Sequence, residues 1–260
     1  MAYQYLNYVV DAGVCTITLN RPEVYNALND GITFELQDAF KQASRDAQVR
    51  VVVLTGEGKA FCSGQDLKAS QEAGKRSFID SLHKRYNPII RAINEMPKPV
   101  IARVNGVAAG AGCSLALACD LIIAAEDAQF IEVFINIGLV PDSGSSYFLP
   151  RTVGMPRAFE LATMGTRLRA AEAAAMGLIN KAVPADELNG EVGKYTAYYA
   201  TAPTRAIALI KKMLRKGMTS SLEEVLDYES YCQEIAGNSS DYKEGVTAFL
   251  EKRKPVFKGK

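Results

Sequence analysis

The sequence predicts an α/β fold, a βαβ core followed by a helical region, on three observations. Runs of the fully buried strand type, "VRVVVLTG" (49–56) and "KPVIARVNG" (98–106), recur in the first part and end in glycine, as parallel strands often do. Segments of helical spacing alternate with them. From residue 155 onward the pattern is helical, with only "INKAVP" (179–184) reading as a strand. Strand–helix alternation first and helices last is the order of a layered core with a C-terminal helical extension. The division falls at 1–200 for the core and 201–260 for the helical region.

The elements follow in order. "VCTITLN" (14–20) has β-branched alternation and leads into the turn chemistry of "RPEVYNALND". In 31–46, Phe34, Leu36, Ala39, Phe40 and Ala43 are expected mostly on one helical face. The strand 49–56 runs into a glycine-punctuated loop, "GEGKAFCSGQDL". A helix is expected over 76–96, kinked or delayed by Pro88. After strand 98–106, the small residues of "VAAGAGCSLALACD" read as a turn entering a tightly packed helix, and "LIIAAED" and "AQFIEV" as a strand pair. Helices are expected at 156–165, 170–178, 201–217, 221–237 and 241–254, with the basic tail "RKPVFKGK" loose. No internal repeat, linker or low-complexity segment is apparent.

Composition narrows the function. With 260 residues, 48% of them hydrophobic, a sizeable core is available and global disorder is excluded. Lys and Arg number 30 against 29 Asp and Glu, without a block of one sign, so nucleic acid or a membrane surface is not the expected partner. The five cysteines are scattered and lack CxxC spacing. Reduced thiols in a cytoplasmic setting fit them better than disulfides or a zinc site. No signal peptide is expected from the N-terminal residues, and no apolar run reaches membrane-spanning length.

Several chemistries drop out. No G-x-S-x-G elbow is present, and the single histidine, His83, lies in a polar helical stretch. One histidine and no cysteine pair give a metal site little support. "GAGCSL" and "GEGKAF" both fail the dinucleotide fingerprint, and no Walker A pattern occurs. Two glycine-rich turns after buried strands remain, with a lone carboxylate, Asp142, in "GLVPDSG" beside the apolar run "FIEVFINIGLV". Taken singly, either turn reads as an ordinary tight turn, and Asp142 as an ordinary turn residue. Together they have another meaning. "FCSGQD" and "GAGCS" can each aim a backbone N–H outward, and two converging donors stabilise the enolate formed when a proton leaves the carbon beside a carbonyl. Asp142 is then the base.

"LNRPEVYNAL", "GKAFCSGQDL", "KPVIARVNGVAAGAGCSLALACDLIIAAEDAQF", "IGLVPDSGSSYFLPRTVG" and "DYKEGVTAFLEKRKPVFKGK" occur in one order along the chain. In them the sequence resembles the crotonase (enoyl-CoA hydratase/isomerase) superfamily from end to end. "YNPIIRAI", "GVAAGAG", "GLVPDSG" and "AGNSSDYKEGVTAFL" resemble its subgroup of phenylacetate-pathway isomerases acting on ring-epoxidised phenylacetyl-CoA. The resemblance implies a crotonase-like spiral of ββα units, C-terminal helices that build a homotrimer or a dimer of trimers, an acyl-CoA thioester as substrate, and no cofactor besides the coenzyme A of that substrate.

It also implies site residues. The oxyanion donors fall on the backbone N–H of Ser63 and Ala111, the latter where many members have glycine, which is tolerable if its φ is not positive. The two glutamates of the hydratases fall on Ser114 and Phe134, so both are missing. Glu132, two residues along an extended chain and so roughly 7 Å away, is not expected to replace the second. The single acid of the isomerases falls on Asp142, whose pKa Leu139, Val140 and Phe148 are expected to raise by desolvation. Val24 and the loop Cys62, Ser63, Gly64, Gln65, Asp66 and Leu67 are implied to line the coenzyme A channel. Phe249 and Lys252 are implied to meet it from a neighbouring subunit, and Tyr86 to line the acyl pocket, whose size depends on segment 68–90. The reading is an acyl-CoA isomerase, acting on a 3-enoyl-CoA or on 1,2-epoxyphenylacetyl-CoA. A hydratase or hydrolase, and a non-catalytic binder of acyl-CoA or RNA, stand as alternatives.

Overall fold

The computed structural model describes residues 3–72 and 76–260. Its strands are β1 (Leu6–Asp11), β2 (Val14–Leu19), β3 (Val51–Gly56), β4 (Ala60–Cys62), β5 (Val100–Val104), β6 (Val107–Ala109), β7 (Leu121–Ala125), β8 (Gln129–Ile131), β9 (Leu168–Arg169) and β10 (Lys181–Val183). They form a six-stranded sheet in the order β1-β2-β3-β5-β7-β10 and a four-stranded sheet in the order β4-β6-β8-β9. The two sheets grow in step. Each successive strand pair, β3/β4, β5/β6 and β7/β8, sends its first strand to the larger sheet and its second to the smaller. That is a spiral of ββα turns, parallel within each sheet except at the β1–β2 and β8–β9 edges.

Between and beyond the strands lie α1 (Asp30–Arg45), α2 (Leu67–Glu72), α3 (Phe78–Ser81), α4 (Asn87–Glu95), α5 (Ala111–Leu117), α6 (Ser145–Val153), α7 (Met155–Met164), α8 (Ala170–Ala175), α9 (Leu188–Thr201), α10 (Thr204–Gly217), α11 (Leu222–Gly237) and α12 (Ser240–Leu250). The core is the space between β3, β5 and β7, each almost wholly buried, and the helices that cover them. On α1, Ile32, Leu36, Ala39, Phe40 and Ala43 face inward at helical spacing, and the side chain of Asn29 caps the helix by accepting from the Ile32 N–H at 3.0 Å. Phe34 departs from the expectation. Two positions from Ile32 places it on the opposite face, and it is 52% exposed.

Other differences have local causes. β1 was not expected; it pairs with β2 through a turn whose central residues, Ala12 and Gly13, both have positive φ (45° and 84°), the geometry that suits a two-residue hairpin. β4 and β6 are three-residue strands hidden in stretches that read as loop and turn. The 76–96 helix is continuous from Phe78 to Glu95, through α3, a π-helical turn over Leu82–Tyr86 and α4; the π turn falls just before Pro88, where a proline inside a helix disturbs the hydrogen-bond ladder. α6 and α9 were also unforeseen, the first holding Pro150 and the second having little amphipathic contrast.

The C-terminal helices are fastened to the core by buried charge. Lys211 Nζ on α10 donates to Asp120 Oδ2 at 2.6 Å and to the Ile93 carbonyl at 3.0 Å, and Arg215 reaches Asp120 Oδ1 at 2.9 Å. The tail is not loose. Asp241 in the first turn of α12 accepts from the N–H groups of Lys258 and Gly259, each at 2.7 Å, and the Lys260 carbonyl accepts from the Asp241 N–H at 3.1 Å. No helix among the described residues is long and apolar enough to cross a membrane.

Candidate active site

Three chain segments leave the carboxyl ends of the neighbouring parallel strands β4, β6 and β8 side by side. They are Ser63–Leu67, Gly110–Ala111 and Val133–Asp142, and they wall a cavity of about 240 Å³. Ligands of parallel sheets collect at such strand ends because the loops there are adjacent in space. The roof comes from the α3 and π-turn segment through Phe78, Leu82 and Tyr86.

Two backbone donors face this space. β6 ends at Ala109, Gly110 follows with φ 52°, and Ala111 opens α5 without a positive φ. As the first helical residue, Ala111 has an N–H with no partner inside the helix, and no other acceptor is assigned to it. In the other loop the geometry corrects the sequence reading. The Ser63 N–H donates to the Tyr25 carbonyl at 3.0 Å, so it is not free for a ligand. Leu28 and Gln65 form a parallel bridge in which the Leu28 N–H bonds the Gly64 carbonyl (2.7 Å) and the Asp66 N–H bonds the Leu28 carbonyl (3.0 Å). Because successive peptides of an extended chain point to opposite sides, the Gln65 N–H points away from Leu28, toward the β6 side. It has no acceptor among the described residues. Gly64 makes the approach of the two loops possible. Its φ is +92°, and a β-carbon there would lie 2.7 Å from the Ala109 carbonyl oxygen and 3.4 Å from the Ala111 nitrogen.

Asp142 lines the same cavity, and among the described residues it is the one carboxylate on its wall. It sits in a tight turn in which the Ser145 N–H bonds the Asp142 carbonyl at 3.1 Å while Ser143 and Gly144 hold φ of 51° and 90°. A serine in the left-handed region is a local backbone cost beside the acid. Burial raises the pKa of Asp142, opposed by the Ser143 Oγ–H bond to its Oδ1 at 2.8 Å. Of the neighbours expected to do this, Leu139 shares the cavity wall, whereas Val140 is 78% exposed and Phe148 packs behind Gly144.

The other expected residues divide. Gly64, Gln65, Leu67 and Tyr86 line the cavity. Cys62 does not: it is fully buried, its thiol bonds the Asn26 carbonyl at 3.3 Å, and burial pushes its pKa up to about 12. Asp66 caps α2 by accepting from the Ala69 N–H and pairs with Arg21 at 3.0 Å, contacts that lower its pKa. Val24 is not on the cavity wall; its carbonyl accepts from Ser63 Oγ and from the Ala27 N–H. Phe249, 82% exposed, lies among the C-terminal helices, and Lys252 occupies a left-handed turn after α12; neither reaches the cavity within one chain. Phe134 lines the cavity, whereas Ser114 is fully buried behind it. Glu132 is not on a strand with Phe134. The chain leaves β8 at Ile131 and coils through a 3₁₀ turn over Val133–Ile137, which turns Glu132 inward and leaves it 3% exposed.

Sequence reasoning missed Arg76 and Phe78 on the wall. Asp30 binds both Arg76 and Arg85 and so anchors the roof segment to α1. Residues 73–75 of the 68–90 segment lie outside the described residues. Among the described residues no group of three His, Cys, Asp or Glu side chains is placed to hold a metal ion.

Comparison with known proteins bears on this arrangement. The sequence profile of the enoyl-CoA hydratase/isomerase family matches residues 10–260. The chain belongs to the enoyl-CoA hydratase/isomerase family. Relatives of this family member carry names of both kinds. It is 45% identical over 260 residues to the "Probable enoyl-CoA hydratase" of Rhodobacter capsulatus, covering 100% of both chains. It is 43% identical over 254 residues to the 1,2-epoxyphenylacetyl-CoA isomerase of Escherichia coli, covering 96% of this chain and 97% of that one. The crystal structure of an enoyl-CoA hydratase from Bacillus anthracis superposes with a TM-score of 0.93 at 35% identity, over 99% of this chain and 100% of that one. The crotonase fold and membership of this enzyme family are therefore secure, while the relatives divide between hydratase and isomerase.

Proposed function

We propose that the protein is an acyl-CoA isomerase that moves a proton, and with it a double bond, through a thioester enolate. The observation that carries this reading is the single carboxylate, Asp142, on the wall of a cavity that also holds two unpartnered backbone N–H groups.

The thioester oxygen lies between the N–H groups of Gln65 and Ala111, Gln65 taking the place of Ser63, whose N–H is bound to Tyr25. Donors so placed strengthen as negative charge gathers on oxygen, each worth about 3 kcal/mol in the transition state. Asp142 removes a proton from C2 of a 3-enoyl-CoA, the electrons delocalise onto the thioester oxygen, and the same carboxylic acid returns the proton at C4. The double bond moves to C2–C3, with no atom gained or lost. One acid suffices because its conjugate acid serves the second half, and its raised pKa makes it a stronger base toward carbon.

Hydration needs a second group to hold and activate water. At the two corresponding places, Ser114 is buried outside the cavity and Phe134 is apolar. The likeness to the Escherichia coli isomerase, with Phe78, Tyr86 and Phe134 on the wall, favours 1,2-epoxyphenylacetyl-CoA as a second substrate, rearranged to the oxepin-CoA. Phe249 and Lys252 meet coenzyme A in a neighbouring subunit of a homotrimer or dimer of trimers; exposed Leu214, Leu222, Phe249 and Leu250 on α10–α12 support such assembly. The test is turnover of a 3-enoyl-CoA and of the ring-epoxide by wild type and Asp142→Asn in heavy-oxygen water. Isomerised product without solvent oxygen, lost in the variant, supports the reading; a hydroxyacyl product overturns it.

A further inference from the structure

Behind the cavity lies a buried polar chain that the reaction as written does not use. Glu132 Oε1 is hydrogen-bonded to Ser145 Oγ at 2.9 Å, Ser145 Oγ lies 2.8 Å from Ser114 Oγ, and Ser114 Oγ lies 3.1 Å from the carbonyl oxygen of Asp142. Ser114 also approaches the Gly110 carbonyl at 3.2 Å, the residue before the Ala111 donor. All three side chains are buried, and Glu132 Oε2 has no hydrogen-bond partner. We propose that Glu132 is a positioning residue for Asp142, acting through Ser145 and Ser114 on the peptide that carries the base.

Counting protons shows how. Each serine has one O–H to donate. When Glu132 is a neutral acid, its O–H donates to Ser145, Ser145 donates to Ser114, and the Ser114 proton is left for the Asp142 carbonyl, shared with Gly110. The chain then ties the base to the N-terminal turn of α5. When Glu132 is ionised, Ser145 must donate to it. The 2.8 Å contact between the serine oxygens then holds a proton only if Ser114 donates to Ser145. The Asp142 carbonyl keeps only the Ser145 N–H. One ionisation therefore reverses the relay and releases one tie on the catalytic turn.

The surroundings favour the neutral acid. The titratable groups that face Glu132 are Cys113 on α5 and Asp142, neither of them a cation; desolvation is the main cause that pushes its pKa up to about 7, opposed by the Ser145 hydroxyl and the Cys113 thiol, with Asp142 adding to the rise. An ionised carboxylate with one unpartnered oxygen is costly in such a place. The switch thus falls near neutral pH.

This inference rests on the isomerase reading, with Asp142 as the base. The experiment measures kcat and KM against pH for wild type, Glu132→Gln and Ser145→Ala. The amide of Glu132→Gln donates to Ser145 at every pH, as the neutral acid does. We expect wild-type kcat to fall about fivefold above pH 7, the worth of one hydrogen bond, with KM unchanged. Glu132→Gln should hold the higher kcat throughout, and Ser145→Ala the lower. Amide hydrogen exchange across 139–149 makes the same comparison without substrate: faster above pH 7 in wild type after correction for intrinsic exchange, and not in Glu132→Gln. Wild type and Glu132→Gln with one shared pH dependence in exchange and, where turnover occurs, in kcat would overturn the inference. A wild type that isomerises neither thioester overturns the isomerase reading instead, and exchange then decides whether Glu132 positions the turn.

Discussion

Replacing Gly64 by alanine tests the geometry on which the proposed oxyanion site depends. The added β-carbon would stand 2.7 Å from the Ala109 carbonyl oxygen, where ordinary contact begins at 3.4 Å, so one backbone must yield by about 0.7 Å. Neither can do so cheaply, since Ala109 belongs to β6 and the loop after β4 is held at Leu28 by two backbone hydrogen bonds. An L-residue at φ +92° adds about 1–3 kcal/mol of strain. At roughly 2–4 °C of Tm per kcal/mol for a chain of this size, calorimetry should show a clear drop. The displacement separates Gln65 from Ala111, the two groups that must grip one oxygen. A misplacement on the order of 1 Å costs about a hundredfold in rate. Turnover measured well below the lowered Tm should therefore fall by about two orders of magnitude. A Gly64→Ala protein that folds and turns over like wild type would refute the pairing of these two donors.

Three further outcomes follow from the same structure. Asp142→Asn should lower kcat by roughly 10²–10⁴, while calorimetric binding of a saturated acyl-CoA is retained; equal loss of both would make Asp142 a structural residue. Glu132 has a folded pKa of about 7 against 4.5 unfolded, so the fold binds its proton more tightly and wild-type stability falls as pH rises between those values. Glu132→Gln lacks that slope and should gain on wild type by up to about 3 kcal/mol between pH 4.5 and 7, with no further change above, read from urea unfolding at each pH. Parallel unfolding curves for the two proteins would contradict it. Asp120→Asn leaves the buried Lys211 ammonium without its carboxylate and should destabilise the protein by about 3 kcal/mol, with α10 losing amide protection first; unchanged protection there would mean that apolar packing alone holds the helix.

What could be read from residues was what periodicity and local chemistry encode. β3, β5 and β7 declare themselves because strands buried on both faces are continuous apolar runs. Helix α1 shows most of its face through Leu36, Ala39, Phe40 and Ala43, although Phe34 was placed there in error and Ile32 was passed over. The three-residue strands β4 and β6 are too short to show a period, and α9 has too little contrast between faces. In the site, Asp142 stood out because an acid beside an apolar run is locally visible. The free donor did not, because which N–H of "CSGQD" is unpartnered depends on the bridge to Leu28, 37 positions earlier than Gln65 in the chain.

By itself, then, the sequence determined the α/β class, the ordered motifs that mark the family, and the presence of two glycine-rich turns followed by a lone acid beside an apolar run. Those properties reside in contiguous residues. Tertiary structure decided that the three turns meet at the ends of β4, β6 and β8, that Ser63 is occupied while Gln65 is free, and that Glu132 faces inward onto the serines behind Asp142. These depend on hydrogen bonds between segments far apart in the chain, and a partner's identity is not written in the residue that bonds it.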